Sequence, residues 1–214
     1  MADIAIIGGH GKVAMRLAPL LQEAGHEVTA WFRNPQHVAE VAATGATVLE
    51  ADVEQLDIDE MAVRLRGKDA VIWSAGAGGG SPTRTYAVDR DAAIRSMSAA
   101  EEAGVRRYVM VSYFGAGPGH GVPQDDPFFH YAEAKAAADD HLRSTGLRWT
   151  VLGPSSLTDD PGTGRIETGE GVTGGSVSRD DVAAVAAYVL DHPSSVGRTI
   201  EFNNGDTPIA QALA

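Results

Sequence analysis

Three side chains have types and spacing suited to proton and hydride chemistry: Ser112, Tyr131 and Lys135. Tyr131 and Lys135 lie in the alanine-rich run FFHYAEAKAAADDHLRSTG, residues 128–146, which reads as a helix. At i and i+4 they share one helical face. An amphipathic face accounts for the pair if the ring covers core and the ammonium stays in water. A proton donor with a cation that tunes it accounts for the pair as well. Ser112 follows the apolar run YVMV at the end of a predicted strand. A serine-hydrolase elbow would need GxSxG, and Met110 occupies the first glycine position.

The chemistry such a trio suits is carbonyl reduction. Hydride arrives at carbon, negative charge grows on oxygen, and a donor must protonate that oxygen. A free phenol has a pKa near ~10, poorly matched to neutral pH. An ammonium at ~4 Å, at an effective dielectric near 20, would favour tyrosinate by about 4 kcal/mol. That is roughly 3 pKa units. Ser112 would orient the carbonyl and stabilise its developing charge. Lys135 could also hydrogen-bond the ribose of a nicotinamide cofactor, so Tyr131 and Lys135 are expected at the cofactor as well.

The first predicted strand ends in Gly8-Gly9-His10-Gly11-Lys12-Val13-Ala14, readable as GxxGxxA or GxGxxA. Placed between a strand and a helix, such glycines admit a tight turn and let a pyrophosphate approach the backbone. The helix N-terminus behind them supplies N–H groups and a positive dipole end. A triphosphate P-loop fits poorly, because Gly11-Lys12 is followed by Val13 and not by Ser or Thr. The second strand ends in Trp31-Phe32-Arg33-Asn34, without the carboxylate that binds the ribose hydroxyls of NAD. Arg33 offers a planar cation for a 2′-phosphate, so NADP(H) is expected as the preferred cofactor, with NAD(H) as the alternative. Asp52 and Val53 close the third strand; Asp52 suits either the adenine amino group or the cap of the next helix.

The elements that must hold these residues follow from alternation. Apolar runs near 3–9, 26–33, 46–52, 69–76, 106–115, 147–157 and 198–205 read as strands, separated by helical patterns. Pro19 interrupts the first helical pattern. The alternation predicts an α/β fold, a single Rossmann-type doubly wound parallel sheet with helices on both faces. The loop at 76–84 and the segment 159–178, rich in glycine and threonine, are the expected mobile parts. The chain has 214 residues, 43% of them hydrophobic and 21% charged, as in ordinary globular domains. A formal net charge of −12 argues against a nucleic-acid or acidic-membrane partner. Absence of cysteine removes disulfides, thiol nucleophiles and zinc ribbons. The opening MADIAIIGG starts a strand at once, so a cytoplasmic protein is expected. The seven histidines form neither HxxxH nor HExxH, so no metal is expected. The carboxylates at 125–126, 139–140, 159–160 and 180–181 read as caps and solvated surface.

With these residues in view, the chain resembles the short-chain dehydrogenase/reductase superfamily, specifically its short atypical members. These are the NAD(P)H-binding NmrA-like and small epimerase/dehydratase-like proteins. The matching stretches are the glycine turn at 8–14, VMVSYFGA, YAEAK, RWTVLGPSSL, SRDDVAAVAAYVL and GRTIEFNNGDTPI, which span nearly the whole chain. The resemblance implies that Ser112, Tyr131 and Lys135 are the catalytic serine, tyrosine and lysine. It implies that Ser74, Ala75 and Gly76 form the loop beside the cofactor, and that Pro154 and Ser155 lie on the nicotinamide side. It implies one domain over 1–214, with a small substrate-side portion from about 153. Asp89 stands where many relatives carry asparagine. The expected activity is NADP(H)-dependent oxidation or reduction of a small alcohol or carbonyl. A dinucleotide-sensing regulator and a sugar epimerase/dehydratase are the alternatives, and the oligomeric state is open.

Overall fold

The computed structural model describes residues 1–78 and 81–214. Seven parallel strands form the body of one sheet: β1 (Asp3–Ile7), β2 (Glu27–Phe32), β3 (Thr47–Glu50), β4 (Ala70–Trp73), β5 (Arg107–Val111), β6 (Arg148–Pro154) and, after three shorter strands, β10 (Arg198–Asn204). The shorter ones are β7 (Ser156–Thr158), β8 (Arg165–Thr168) and β9 (Ser176–Ser178). Last comes β11 (Thr207–Pro208). The sheet order is β11-β8-β10-β6-β5-β4-β1-β2-β3, with β7 and β9 paired separately. Reversal of strand order between β1 and β4 opens a crevice beyond their carboxyl ends, where such folds bind ligands.

Helices cover both faces. On one side lie α1 (Ala14–Glu23) and α7 (Arg179–Asp191), which pack on each other. On the other lie α3 (Ile58–Leu65), α5 (Ala93–Ala103) and α6 (Phe129–Ser144). Shorter helices are α2 (Val38–Ala43), α4 (Pro82–Thr85) and α8 (Ile209–Ala212), and a π-helical segment, Tyr86–Ala92, joins α4 to α5. The side-chain alternation of strands divides the core. Ile4 and Ile6 of β1 face the α1/α7 layer, while Ala5 and Ile7 face α3 and α5. Both faces being buried explains why these strands read as continuous apolar runs.

The expected sheet and its seven parallel strands are present. The segment 159–178, expected to be irregular, contributes β8 and β9, and β8 pairs antiparallel with β10 and β11. Its strands are too short to show periodicity, and a buried carboxylate organises the approach to β8. Asp181 accepts the N–H groups of Thr163 and Gly164 and the hydroxyl of Ser178. Asp181 is therefore a buried anchor, where the carboxylates at 180–181 were expected as caps and solvated surface. Helix α1 runs through Pro19. Of the loop expected at 76–84, residues 79 and 80 lie outside the described residues, and 82–85 form α4. Among the described residues, no helix is long and apolar enough to cross a membrane.

Candidate functional site

The glycine turn is built for close approach. Gly8 has φ +93°, and a Cβ there would sit 2.5 Å from the backbone N and Cα of Ala75. A Cβ on Gly9 would sit 2.7 Å from that of Ala30. The N–H groups of Gly8 and Gly9 both donate to the Trp31 carbonyl, at 3.1 and 2.7 Å, and Gly11 N–H donates to Gly8 O at 2.8 Å. The turn thus lies flat on β2 and on the exit of β4. Helix α1 opens directly behind it with Val13 at its cap and no side chain accepting its first N–H groups. The Met15, Arg16 and Leu17 N–H groups donate to the carbonyls of Gly11 and Val13, and the positive dipole end ahead of them fits a phosphate group.

A cavity of about 320 Å³ runs from this turn along the carboxyl ends of β1, β2, β3 and β4. Gly8, His10 and Gly11 line it at the turn, and Ser74, Ala75 and Gly76 line it where β4 ends. Arg33, Asn34, Asp52 and Val53 form its far wall. Asp52 accepts the N–H of Glu54, whereas the cap of α3 is Asp57, in a reciprocal capping box with Glu60. Asp52 is thereby left facing the cavity. Among the wall residues that were not sequence candidates are the polar His37, Glu54 and Arg84. Glu54 Oε1 accepts from Arg33 Nη1 at 2.8 Å and from Arg84 Nε at 3.0 Å. One carboxylate so holds two guanidinium groups at the cavity wall. Glu54 and Arg84 sit 21 and 51 positions beyond Arg33, so no local spacing signals them.

His10 and His37 stack with ring centroids 3.6 Å apart and planes at 14°, and His10 pairs with Glu40 at 2.8 Å. Their ligating atoms and those of Glu40 lie within 4.8 Å of one another. Near-parallel rings aim their in-plane lone pairs side by side, not at a common ion, so the trio fits an imidazole–carboxylate contact better than a tetrahedral centre. Three turn residues stand off the cavity wall. Gly9 serves packing, Val13 is in the core, and Lys12 Nζ pairs with Asp159 at 2.8 Å. Asp159 also meets Arg16 and Arg179, at 3.3 and 3.0 Å. It joins the segment after β7 to α1 and α7, where the sequence suggested free surface.

A second cavity, about 470 Å³, opens beyond β5 and β6. Ser112 and Tyr131 line it together with Pro154 and Ser155, the pair expected on the nicotinamide side. Tyr113 and Phe128 complete an aromatic wall with Tyr131, ring centroids lying 5.1–5.6 Å apart. Among the described residues, none that lines it carries a charge. Ser155 Oγ donates to Asn203 Oδ1 and accepts from Gly175 N–H, which fastens the cavity rim to β10. His130 is turned to Tyr86, whose hydroxyl is 3.3 Å from its Nδ1, and does not line the cavity.

Lys135 and Tyr131 differ from the simplest expectation. Lys135 is 1% exposed, and its ammonium donates to Val111 O at 2.8 Å and Met110 Sδ at 3.2 Å. It closes the end of β5 beneath the cavity. Burial pulls it below the usual lysine range, while Asp139 and Asp89 oppose that shift. The Tyr131 phenol was expected to be lowered by this cation. Instead burial raises it, and the carboxylates Asp89 and Asp139 and the Tyr113 phenol raise it further. Burial likewise pushes Tyr113 up to about 12. The phenol of Tyr131 is held protonated.

Asp139, expected at the surface, is fully buried, and its Oδ2 lies 2.5 Å from Ser112 Oγ in a hydrogen bond. It lies one further helical step on the face of Tyr131 and Lys135, so the i+4 spacing that joined those two also reaches it. Asp89, on the π-helical segment, is equally buried and accepts Ala77 N–H at 3.0 Å.

Comparison with known proteins agrees with this geometry. The model of a family described as NAD(P)H-binding matches residues 8–193. An uncharacterized sugar epimerase of Bacillus subtilis (strain 168), YhfK, is 35% identical over 213 residues, covering 98% of both chains. A solved Bacillus halodurans structure, provisionally named an NAD-dependent epimerase/dehydratase, is 32% identical with a TM-score of 0.91, covering 100% of this chain and 99% of that one. The oxidoreductase ylbE from Lactococcus lactis is 31% identical with a TM-score of 0.87, covering 99% of this chain and 94% of its own. The chain therefore belongs to the NAD(P)H-binding family, among the atypical short-chain dehydrogenase/reductases, and its cofactor is a nicotinamide dinucleotide.

Proposed function

We propose that the protein is an NADP(H)-dependent reductase of small, uncharged carbonyl compounds. The observation that carries this reading is the second cavity, where a protonated phenol and a buried serine hydroxyl line a space with no charged lining residue. A bound reduced nicotinamide supplies the hydride for the carbonyl carbon. Tyr131 gives its phenolic proton to the carbonyl oxygen, and Ser112 orients that oxygen. Lys135 holds the end of β5 in place through Val111 O and brings positive charge beneath the site. A phenol raised by burial keeps its proton at neutral pH but is a weaker acid than a free one, so its proton transfer must be drawn by the charge growing on the substrate oxygen. The aromatic wall of Tyr113, Phe128 and Tyr131 suits a flat apolar body on the substrate.

The name carried by YhfK raises sugar epimerisation for this chain too. A nucleotide-diphosphate sugar brings at least two negative charges, and the second cavity offers its diphosphate neither arginine nor lysine. The test is loss of reduced nicotinamide on incubation with a panel of aldehydes, ketones and quinones, against a second panel of nucleotide sugars. Turnover is expected on the first panel alone. Epimerised nucleotide sugar with no net use of NADPH would overturn the reading.

Arg33 carries the preference for NADP(H). Arg33→Ser is expected to raise the Kd for NADPH on the order of 10- to 100-fold, the loss of hydrogen bonds from a charged group. The Kd for NADH should stay unchanged, as titration of cofactor fluorescence would read directly. An equal loss for both cofactors would assign Arg33 to the fold.

A further inference from the structure

Three ionisable side chains lie buried within one another's influence and that of Tyr131: Asp89, Lys135 and Asp139, each 1% exposed or less. With all three charged, the group would carry one net negative charge in a dry interior, an expensive arrangement. The two carboxylates are unequally supported. Asp89 takes the Ala77 N–H and lies within the influence of both Lys135 and Arg84. Asp139 takes one hydroxyl, that of Ser112, on Oδ2, and its Oδ1 is buried with no hydrogen-bond partner among the described residues. An ionised carboxylate wants several donors around both oxygens, whereas a neutral acid tolerates one bare carbonyl oxygen far better. The excess proton therefore belongs on Asp139.

That placement decides which way Ser112 points. Between Ser112 and Asp139 there is one short O···O contact of 2.5 Å and room for one hydrogen. If Asp139 is ionised, the serine hydrogen is spent on it, and the cavity sees only oxygen lone pairs. If Asp139 is the acid, it donates to Ser112 Oγ, and the serine hydrogen is released toward the cavity. Only the second arrangement can stabilise negative charge growing on a substrate oxygen.

We propose that Asp139 is a positioning residue that keeps a proton at neutral pH, donates it to Ser112 Oγ, and so turns the Ser112 hydroxyl hydrogen onto the substrate oxygen. The inference rests on the reading of the second cavity as a carbonyl site. Nothing in it transfers Asp139's proton to substrate; the hydrogen bond is retained through turnover. Burial raises the Asp139 carboxyl, with Lys135, Ser112 and Arg143 opposing. The other titratable groups within its influence are the phenols of Tyr108 on β5, Tyr113 just after it, and Tyr131 on α6. Asp89 adds its own charge around Lys135 from the π-helical segment.

The sign of the pH effect follows. As pH rises through the raised Asp139 value, Asp139 ionises, reclaims the serine hydrogen, and reduction slows. Asp139→Asn cannot ionise and its amide N–H donates to Ser112 Oγ, so that variant should stay active and lack this basic limb. Asp139→Leu, which donates nothing, should lose on the order of 10²-fold in kcat, comparable to loss of an oxyanion donor. In a Ser112→Ala background the Asn and Leu variants should become equivalent. Infrared difference spectroscopy gives a readout that needs no substrate. The wild type at neutral pH should show the C=O stretch of a buried protonated carboxylic acid, absent from Asp139→Asn and shifted in Ser112→Ala, where the acid loses its acceptor. Absence of that band from the wild type, or a basic limb unchanged in Asp139→Asn, would overturn the proposal. If no carbonyl compound is turned over, the carbonyl reading fails, while the infrared band still reports where the proton resides.

Discussion

Tyr131→Phe should lower kcat for carbonyl reduction by ~10²- to 10⁴-fold, the range for loss of a positioned general acid. Its Kd for NADPH should match the wild type, because the cavity proposed for the dinucleotide is lined by the glycine turn and the carboxyl ends of β1 to β4, whereas Tyr131 lines the other one. The substitution removes one oxygen and keeps the ring that packs against Tyr113 and Phe128 at 5.6 and 5.1 Å, so the aromatic wall survives. Thermal stability should therefore change little. Steady-state kinetics beside a cofactor titration separate the outcomes. A protein that only senses the dinucleotide would respond to Tyr131→Phe in neither measurement.

Gly8→Ala should disable the cofactor site from the other end. The backbone at φ +93° is one that L side chains avoid, and the new methyl would meet the Ala75 backbone at 2.5 Å. No flexible side chain is there to give way, so the turn or the end of β4 must move. Strain and overpacking together should cost about 2–5 kcal/mol of stability. The displaced first turn of α1 should weaken NADPH binding by ~10²-fold, equivalent to losing about two hydrogen bonds to a charged group. Gly117→Ala is the control, since a methyl there would meet nothing within 4 Å and the backbone φ is not positive. Thermal melts and NADPH titrations of both variants check the contrast. Equal behaviour of the two would show that the close packing at Gly8 is dispensable.

The sheet was legible because burial on both faces writes strands as apolar runs, and the glycine turn was legible because it lies between a strand and a helix. The short strands β8 and β9 were not, since three or four residues with one inward side chain, such as Ile166 and Val177, carry no periodic signal. Of the candidate site, Ser112, Tyr131 and the turn were proposed from spacing and from position at strand ends, and each lines or borders one of the two cavities. Arg84 reaches the cavity by tertiary placement alone, and Glu54, although it follows Asp52-Val53 directly, meets Arg33 only in the fold. Asp139 illustrates a different limit. It sits beside Asp140 in the sequence, and paired carboxylates on a helix read as solvated surface, yet one is fully buried and its neighbour is exposed. Lys135 was found, but its direction was not. A lysine can reach a phenol one turn away or a carbonyl at a strand end, and only the packing of α6 on the sheet decides between them.

The π-helical stretch Tyr86–Ala92 has a consequence for how the gene can change length. It inserts Asp89 beneath the crevice while α5 continues beyond it with its own apolar face on the sheet. Each residue of an ordinary helix turns the chain by roughly 100°. Losing a single codon within 86–88 would leave the helix intact downstream yet swing the aspartate, or the α5 face, a quarter-turn out of register. Surface loops absorb such indels readily, but here one missing residue would forfeit either the buried acid or the packing, so this stretch should be intolerant of deletion despite being helical throughout.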